Sequence, residues 1–378
     1  MSENANINDW LLAGSLELDS AEKIVLNLTD ILCQQVQINR LSFDIHTAHS
    51  EIYVKNIIWK RDKGVESEFI EHQRVTSPIY KNSPIAAIYG GSPTIRLPLL
   101  NASEYQYPDL QKELCRQGNT DYIIFPMDYT RGGRSYVSYT TDQEGGFSTT
   151  DIKVLESMCA PLSRRLEIEF CHYSTRSLLD TYLGKSAAAQ VTSGNFKRVG
   201  SGELINAVIW QCDLRGFTDM SMNSEAEELI IELDKFFESI ADSISKYEGD
   251  IIKFIGDSII VIFTNEEAEV ACRNALQASN EILAKFTDGS RQIAIVIHYG
   301  SVIFGNVGSR DRMDFTIIGK DVNFTSRLEG VCKQLNLNMV LSENFIQVSR
   351  DKNFAPLGKY NLKGFPNPEA LYTLDKKV

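Results

Sequence analysis

The sequence predicts an α+β protein with two domains, and three observations support this prediction. The chain has 378 residues, which exceeds the roughly 150 residues of a typical single domain. Stretches with helical and strand-like spacing of apolar residues alternate in both halves, and the polar stretch 173–200, which ends rich in Gly and Ser, lies between them. A hydrophobic fraction of 43% and a charged fraction of 23% are typical of a globular chain.

Composition and charge exclude several classes of protein. Lys and Arg total 38 and Asp and Glu total 50, so the net charge is −12, and an acidic chain without a basic tract is a poor candidate for nucleic-acid binding. No apolar run reaches the roughly 18 residues of a membrane span, and the polar start lacks the features of a secretion signal. The seven cysteines are scattered without a CxxC pair, which indicates reduced thiols and no cysteine metal site. These features predict a cytoplasmic protein.

Four segments are predicted along the chain. They are a flexible N-terminus at 1–17, a first domain at 18–172, a helical linker and loop at 173–200, and a second domain at 201–378. The elements of the first domain are a helix at 20–36, a strand pair at 41–61, strands at 121–129 and 134–142, and a long helix at 145–170. Ser148, Thr149 and Thr150 are the candidate N-caps of the long helix.

This pattern, together with the sequence GGFSTTD before the last helix, resembles a GAF sensor domain. Some members of that family bind cyclic nucleotides through an Asn-Lys…Phe…Asp-Glu signature, which this sequence lacks. Others attach a bilin to a cysteine, and neither Cys115 nor Cys159 is singled out for that role. The resemblance leaves two roles open, the binding of an unknown small molecule or a purely structural or dimerising function.

The second domain has the element order β-α-β-β-α-β. The elements are a strand at 205–213, a helix at 224–249, two strands of a hairpin at 251–263, a helix at 266–286 and a strand at 291–308. Ser224 is the expected N-cap of the first helix, Gly249 follows its end, and Gly256 with Asp257 forms the hairpin turn. This order is the ferredoxin-like split motif.

Two carboxylates of this domain stand at neighbouring strand ends. Asp213 ends the first strand, and Asp257 lies in the turn of the hairpin formed by the middle strands. The first and middle strands are adjacent in a ferredoxin-like sheet. A lone Asp in a turn is usually a solvated loop residue, but two converging carboxylates are the hard oxygen ligands that Mg²⁺ uses when it also holds phosphates. Backbone N–H groups of Gly216, Phe217 and Thr218, in the turn that follows, suit an anionic phosphate.

Four stretches of this domain carry a resemblance to a known family. They are DLRGFTDMS (213–221), EGDIIKFIGDSIIVIF (248–263), HYGSVIFGNVGSRDRMDFTIIGKDVNFTSRLE (298–329) and LKGFPNPEALYTL (362–374). Through them, residues 205–378 resemble the catalytic domain of class III nucleotidyl cyclases. The resemblance implies a homodimeric adenylate cyclase, a phosphorus-oxygen lyase that converts ATP into 3′,5′-cyclic AMP and pyrophosphate at a site shared between two subunits.

The resemblance also implies a role for each site residue. Two Mg²⁺ or Mn²⁺ ions would be bound by Asp213, Asp257 and the backbone oxygen of Leu214, the purine read by Lys253 and Thr316, the transition state stabilised by Asn323 and Arg327, and the triphosphate bound by Arg312 and Lys363, with Arg310 as a rival for Arg312. His298 lies in an apolar strand and is interpreted as structural rather than as a catalytic base, because the family's nucleophile is the ribose 3′-hydroxyl activated by metal.

The purine-reading pair favours ATP over GTP. Lys253 is a donor only, so it suits the unprotonated N1 of adenine and would repel the protonated N1 of guanine. Thr316 stands where the family more often has Asp, and this departure fits a branch of adenylate cyclases with a Lys-Thr pair. Asn323 and Arg327 are four residues apart on a predicted helix, so both lie on one face.

Three alternatives to an adenylate cyclase remain. A guanylate cyclase is disfavoured by Lys253, and a catalytically inactive cyclase-like module that only dimerises is disfavoured because every expected site position holds a chemically competent residue. A diguanylate cyclase shares the core, but the hairpin reads IGDS over 255–258 instead of that family's Gly-Gly-Asp/Glu-Glu-Phe. The N-terminal module is expected to regulate the catalytic half through the helical stretch 151–190.

Overall fold

Two sheets organise the described part of the computed structural model, one in each of two units. The units are Met1–Leu178 and Leu179–Val378. The structure describes residues 7–46, 52–100, 105–130, 132–194, 202–286, 292–351 and 353–375. Within these ranges, no helix is both long and apolar enough to span a membrane.

The sheet of the first unit is antiparallel. Its strands are β1 (Arg40–His46), β2 (Ile52–Lys60), β3 (Gly64–Glu71), β4 (Ile95–Pro98), β5 (Asp121–Asp128) and β6 (Arg134–Thr141). Their order in the sheet is β3-β2-β1-β6-β5-β4. The strands predicted at 41–61, 121–129 and 134–142 are therefore confirmed. The edge strands β3 and β4 escaped prediction because β3 is largely exposed and β4 has only four residues.

Helices cover both faces of this sheet. They are α1 (Ile7–Asp9), α2 (Ala21–Leu32), α3 (Pro78–Lys81), α4 (Pro84–Tyr89), α5 (Pro108–Arg116) and α6 (Thr149–Leu183), with a π-helical turn at Trp10–Gly14 and a 3₁₀ turn at Arg74–Thr76. On one face, Leu28 of α2 and Leu162 of α6 join the core around Phe43. On the other face, Ile88 of α4 and Leu114 of α5 pack in a second cluster. The resemblance of this unit to a GAF domain stays a prediction.

The two predicted helices of this unit begin at capped residues. The Ser20 side chain accepts a hydrogen bond from the backbone N–H of Lys23 at the start of α2. At the start of α6, Ser148 Oγ accepts from Asp151 N–H (3.1 Å) and Asp151 Oδ2 accepts from Ser148 N–H (2.8 Å). This reciprocal arrangement is a capping box, and it selects Ser148 among the three candidate N-caps.

The flexible N-terminus predicted at 1–17 is wrong for part of its length. Residues 1–6 lie outside the described residues, but a helical segment begins at Ile7. Ile7 and Leu11 are buried, at 4% and 1% exposure. Their apolar side chains add to the core of the first unit, and burial of this kind stabilises a terminus that polar composition alone would leave frayed.

The second unit contains the βαββαβ core. Its strands are β7 (Gly202–Leu214), β8 (Gly249–Ile255), β9 (Ser258–Phe263), β10 (Ile293–Gly308), β11 (Met313–Ile318), β12 (Met339–Ser342), β13 (Phe354–Tyr360) and β14 (Glu369–Leu374). The sheet order is β13-β14-β12-β10-β7-β9-β8, and β11 pairs with β10. The prediction that the first strand lies next to the middle strands is confirmed for β9, which pairs with β7.

Helices lie on both faces of this sheet as well. They are α7 (Lys185–Thr192), α8 (Phe217–Asn223), α9 (Ala226–Lys246), α10 (Ala268–Lys285), α11 (Lys320–Gln334) and α12 (Glu343–Ser349). α9 and α10 bury Phe236 and Ala275 against the central strands. α11 buries Leu328 in a second cluster, and α7 buries Ala187 in a third. The stretch predicted as a helical linker thus contributes α7 to the core of the second unit.

The expected caps of α9 are wrong. Ser224 ends α8, and α9 begins at Ala226 after Glu225, whose side chain makes no capping hydrogen bond. Beyond the helix end, the left-handed residue is Glu248 at φ 60°, and Gly249 is the first residue of β8. The polar residues around Ser224 therefore contain both the end of α8 and the start of α9. The spacing of apolar residues alone did not separate these two helices.

Candidate active site

The candidate site lies at one end of the central strands of the second unit. β7 lies between β10 and β9, and its residues 207–214 are buried. Asp213 pairs in register with Ser258 at the start of β9. The backbone N–H of Leu214 donates to the backbone oxygen of Asp257 at 3.3 Å. The hairpin turn, with Gly256 at φ +61°, thus brings Asp257 beside Asp213, as the sequence predicts.

The Asp213 carboxylate is nearly enclosed and faces one cation. It is 4% exposed, and Lys333 Nζ lies 2.6 Å from its Oδ2. Burial raises the pKa of Asp213, the Lys333 ammonium lowers it, and the nearby Asp257 carboxylate raises it again, with a net shift above the usual range. Two adjacent carboxylates therefore share an environment in which a positive charge is strongly favoured.

Lys333 also forms an ion pair with a second acidic residue, Glu329. Lys333 Nζ lies 2.7 Å from Glu329 Oε1, one turn earlier on α11. Gln211 Nε2 in turn donates to Glu329 Oε2 at 2.6 Å and to Ser258 Oγ at 3.1 Å. Burial lowers the pKa of Lys333, but the carboxylates of Asp213 and Glu329 raise this pKa by more than burial lowers it, so the net shift is upward.

The donors at this place fit a divalent metal that also binds phosphate. Asp213 and Asp257 supply two carboxylates, and Leu214, which follows Asp213 as the last residue of β7, supplies a backbone oxygen. Mg²⁺ is typically bound by one or two carboxylates together with water and substrate phosphates. The ammonium of Lys333 at 2.6 Å from Asp213 indicates that a cation is accommodated here.

The two predicted purine readers lie on separate strands. Lys253 is on β8 and Thr316 is on β11. Lys253 Nζ forms an ion pair of 2.5 Å with Oδ2 of Asp314. Asp314 and Thr316 are two residues apart on β11, so they point to the same face, and the intervening Phe315 is buried on the other. Asp314 thus links the Lys253 side chain to the strand that carries Thr316.

Asn323 and Arg327 lie on the exposed side of α11. Both side chains are exposed, whereas Phe324 and Leu328 on the other side of the helix are buried. Among the described residues, neither the Asn323 amide nor the Arg327 guanidinium has a hydrogen-bond or ion-pair partner. The single chain therefore brings the two carboxylates together but leaves the predicted transition-state residues facing outward.

The predicted triphosphate-binding groups lie on turns. Gly216 adopts φ +75° immediately before α8, which begins at Phe217, and the side chain of Thr218 lies outside the described residues. Arg312 is exposed in the turn between β10 and β11, and Lys363 is exposed between β13 and β14. The positions of Arg312 and Lys363 on turns leave their side chains accessible to a ligand.

His298 is held inside the core. It is 3% exposed, its ring lies against Phe324 with centroids 4.5 Å apart, and its Nδ1 lies 2.8 Å from Ser342 Oγ. Its Nε2 lies 3.6 Å from Asp321 Oδ1. These contacts give the imidazole a packing and hydrogen-bonding role within the sheet.

Sequence reasoning missed three charged residues of the site. Lys333 and Glu329 were not singled out, although their spacing of four residues on a helix is the usual signal of an ion pair. Asp314 was also missed, and its position two residues before Thr316 was the available signal. Their other partners, Asp213, Gln211 and Lys253, are distant in sequence and come close only through the tertiary fold.

Comparisons with known proteins find similarity over the second unit. Residues 203–376 match the family model of the adenylate and guanylate cyclase catalytic domain. The chain is 32% identical over 160 residues to an adenylate cyclase of Anabaena cylindrica, covering 39% of this chain and 32% of that protein. It is 30% identical over 188 residues to adenylate cyclase 1 of Rhizobium meliloti, covering 44% of this chain and 28% of that protein. A solved structure, the adenylyl cyclase CyaB from P. aeruginosa, is 26% identical with a TM-score of 0.42, covering 46% of this chain and 95% of that chain.

Residues 203–376 are thus similar in sequence to adenylate and guanylate cyclase catalytic domains. The two curated relatives named above are adenylate cyclases. The chain spans about a third of the length of these curated relatives.

Proposed function

We propose that the second unit converts ATP into 3′,5′-cyclic AMP and pyrophosphate. The observation that carries this proposal is the convergence of Asp213 and Asp257 at the end of adjacent central strands, next to the turn that starts at Gly216. This is a place where metal-bound triphosphate can be held between carboxylates and backbone N–H groups.

The reaction is an in-line displacement at the α-phosphorus. The ribose 3′-oxygen forms a bond to that phosphorus, the bond from phosphorus to the β-phosphate oxygen breaks, and the 3′-hydroxyl proton passes to solvent. Two Mg²⁺ or Mn²⁺ ions, when bound, would polarise the hydroxyl and the phosphates. Asp213, Asp257 and the Leu214 backbone oxygen are the proposed ligands for these ions.

The remaining groups act by orientation and charge. Asn323 would orient the ribose, and Arg327 would stabilise the charge that grows on the α-phosphate. Arg312, Lys363 and the N–H groups at 216–218 would hold the triphosphate. Asn323 and Arg327 are exposed on α11. We therefore propose that, in a homodimer, they contact the nucleotide that is bound at the two carboxylates of a second copy of the chain.

Base choice is proposed to depend on Lys253 and Thr316. A donor-only side chain at Lys253 suits the acceptor N1 of adenine, and the Thr316 hydroxyl can accept from the 6-amino group. A wrong base leaves buried polar groups unpaired, so a few such contacts discriminate strongly. The runner-up function is a guanylate cyclase, followed by an inactive dimerisation module.

Product analysis separates these possibilities. The purified chain is incubated with ATP or GTP and with Mg²⁺ or Mn²⁺, and the products are resolved by chromatography. We expect cyclic AMP and pyrophosphate from ATP. The Asp213→Ala and Asp257→Ala variants should lose turnover while keeping the circular dichroism spectrum of the parent. If cyclic GMP were the main product, GTP would replace ATP as the proposed substrate. Near-normal metal-dependent activity in either variant would refute the assignment of Asp213 and Asp257 as metal ligands.

We further propose that the first unit regulates this activity by binding a small molecule. A cavity of about 960 Å³ lies against its sheet, with Arg40, Tyr122 and Tyr136 among its lining residues and apolar side chains of α4 on another side. Arg40 contacts Ser138 Oγ at 3.4 Å, and among the described residues it has no carboxylate ion-pair partner. The lining combines these aromatic rings with two cations, Arg40 and Lys81, and two carboxylates, Asp109 and Glu113, which suits a small planar polar molecule.

A route for regulation is available within the second unit. Gly184, between α6 and α7, lies so close to β8 that a Cβ there would be 3.0 Å from the Ile251 carbonyl oxygen. Lys253 stands two residues further along β8. Deleting residues 1–178, which leaves α7 in place, should change the rate of cyclic AMP formation, and an unchanged rate would refute the regulatory proposal.

A further inference from the structure

The ammonium of Lys333 occupies a cation position at the proposed metal-binding carboxylates. Its Nζ lies 2.6 Å from Asp213 Oδ2 and 2.7 Å from Glu329 Oε1. Asp213 belongs to the central strand β7, whereas Lys333 lies on α11, which packs on that strand from one face of the sheet. The contact joins residues 120 positions apart in sequence and is therefore a product of the tertiary fold.

This pair differs from an ordinary surface salt bridge. The Asp213 side chain is 6% exposed, while that of Lys333 is 47% exposed. The carboxylate is thus fixed and poorly hydrated, and the lysine stem has solvent on one side into which it can move. An enclosed carboxylate without a cation is costly, so the ammonium stabilises the chain in the absence of metal.

Glu329 gives the lysine a second anchor. It lies one turn before Lys333 on α11, and Gln211 Nε2 holds its other oxygen at 2.6 Å. Gln211 also donates to Ser258 Oγ, so Glu329 is tied to β7 and β9. An ammonium that leaves Asp213 therefore still has a fixed carboxylate partner within reach.

We propose that Lys333 is a built-in counter-ion that competes with divalent metal for Asp213. This inference rests on the proposed metal-binding function. Lys333 neutralises and orients the Asp213 carboxylate in the metal-free chain, and it must release Oδ2 for a metal ion to bind there. Glu329, which already pairs with the ammonium, retains it when this happens. Lys333 is in this view a positioning residue that sets the metal concentration at which the site fills.

Mn²⁺ binding without nucleotide tests this proposal. Free Mn²⁺ is measured by electron paramagnetic resonance in titrations of the full chain and of Lys333→Met, Lys333→Arg, Asp213→Asn and Lys320→Met. We expect Lys333→Met to bind Mn²⁺ roughly threefold to tenfold more tightly, which is the size expected for one competing charge in a half-exposed pair. Lys333→Arg keeps the charge and should bind much as the parent does. Lys320→Met, an exposed lysine at the other end of α11, should leave binding unchanged.

Thermal unfolding gives a second measurement. In excess chelator, Lys333→Met should melt at a lower temperature than the parent, and saturating Mn²⁺ should remove most of that difference. Unchanged or weaker Mn²⁺ binding by Lys333→Met, with binding still lost in Asp213→Asn, would overturn the counter-ion role alone. Binding that does not depend on Asp213 at all would overturn the proposed metal site, and the two failures are therefore distinguishable.

Discussion

Lys253 on β8 and Asp314 on β11 form an ion pair of 2.5 Å within one chain. The Lys253 side chain is 27% exposed and that of Asp314 is 58% exposed, so the pair lies at the rim of the sheet. An ammonium has three donors. One is directed to Asp314, and under the proposed function the other two are available to the purine beside Thr316.

Asp314 is expected to support recognition of the base. In Asp314→Asn the Lys253 side chain loses its ion pair and gains rotamer freedom. Ordering it for a hydrogen bond to the purine then costs more entropy. We expect the KM for ATP to rise by about threefold to tenfold with little change in kcat, a size typical of a partly exposed charge contact. The preference for ATP over GTP should fall. Asp311→Asn, an exposed neighbour in the same turn, should leave these parameters unchanged, and an equal effect of both variants would contradict the prediction.

Mixing two inactive variants tests the shared site. If Arg327 of one chain and Asp213 of its partner chain belong to the same active site, a mixed dimer of Asp213→Ala and Arg327→Ala chains contains one intact site. Random reassortment of equal amounts should therefore restore about a quarter of the parent activity, because half of the dimers are mixed and each has one of two sites. The measurement is cyclic AMP formation before and after mixing. Each variant alone should remain inactive, and no recovery after demonstrated subunit exchange would exclude a shared site.

The buried Asp44 predicts a pH dependence in the first unit. Burial raises its pKa to about 6, although hydrogen bonds from Asn56, Tyr136 and Tyr89 oppose the shift. Because the folded-state pKa lies above the usual 3.8, the stabilisation from the proton is complete below about pH 4 and is lost as the pH rises through 6. From this group alone, the free energy of unfolding should fall by on the order of 2–3 kcal/mol between pH 4 and pH 7.

Asp44→Asn should remove that slope, since the amide does not titrate. Hydrogen exchange of β1 and β6, corrected for intrinsic rates, measures the local stability at each pH. Asp62→Asn, in an exposed turn, is the matched control and should keep the parent slope. A parent chain whose β1 protection does not change between pH 4 and pH 7 would contradict the assignment.

Gly184 is expected to tolerate no side chain. Its φ is +81°, and an added Cβ would lie 3.0 Å from the Ile251 carbonyl oxygen. Gly194 has a similar φ of +70° but open space around its Cβ position. Gly194→Ala should lose about 1 kcal/mol. Gly184→Ala should lose more, because φ +81° with ψ 160° is a region open essentially to glycine alone, and it should reduce cyclic AMP formation because β8 carries Lys253. Equal losses of stability and activity in the two variants would contradict this expectation.

Local signals in the sequence predicted the core of the second unit well. The buried run of β7, the Gly256-Asp257 turn and the spacing of Asn323 and Arg327 each depend on neighbours within a few residues. The placement of Asp213 beside Asp257 followed from the strand order of the ferredoxin-like motif. The edge strands of the first unit and the N-cap of α9 were missed because exposed edges and adjoining helix ends leave weak periodic patterns.

The sequence by itself determined the element order of the second unit and the identity of its two converging carboxylates, because turn residues and apolar periodicity act over short distances. Only the tertiary structure decided that Lys333 lies against Asp213 and that Asp314 holds Lys253. Those contacts join residues 120 and 61 positions apart. Their partners are chosen by the packing of a helix on the sheet and the pairing of distant strands, which no local pattern encodes.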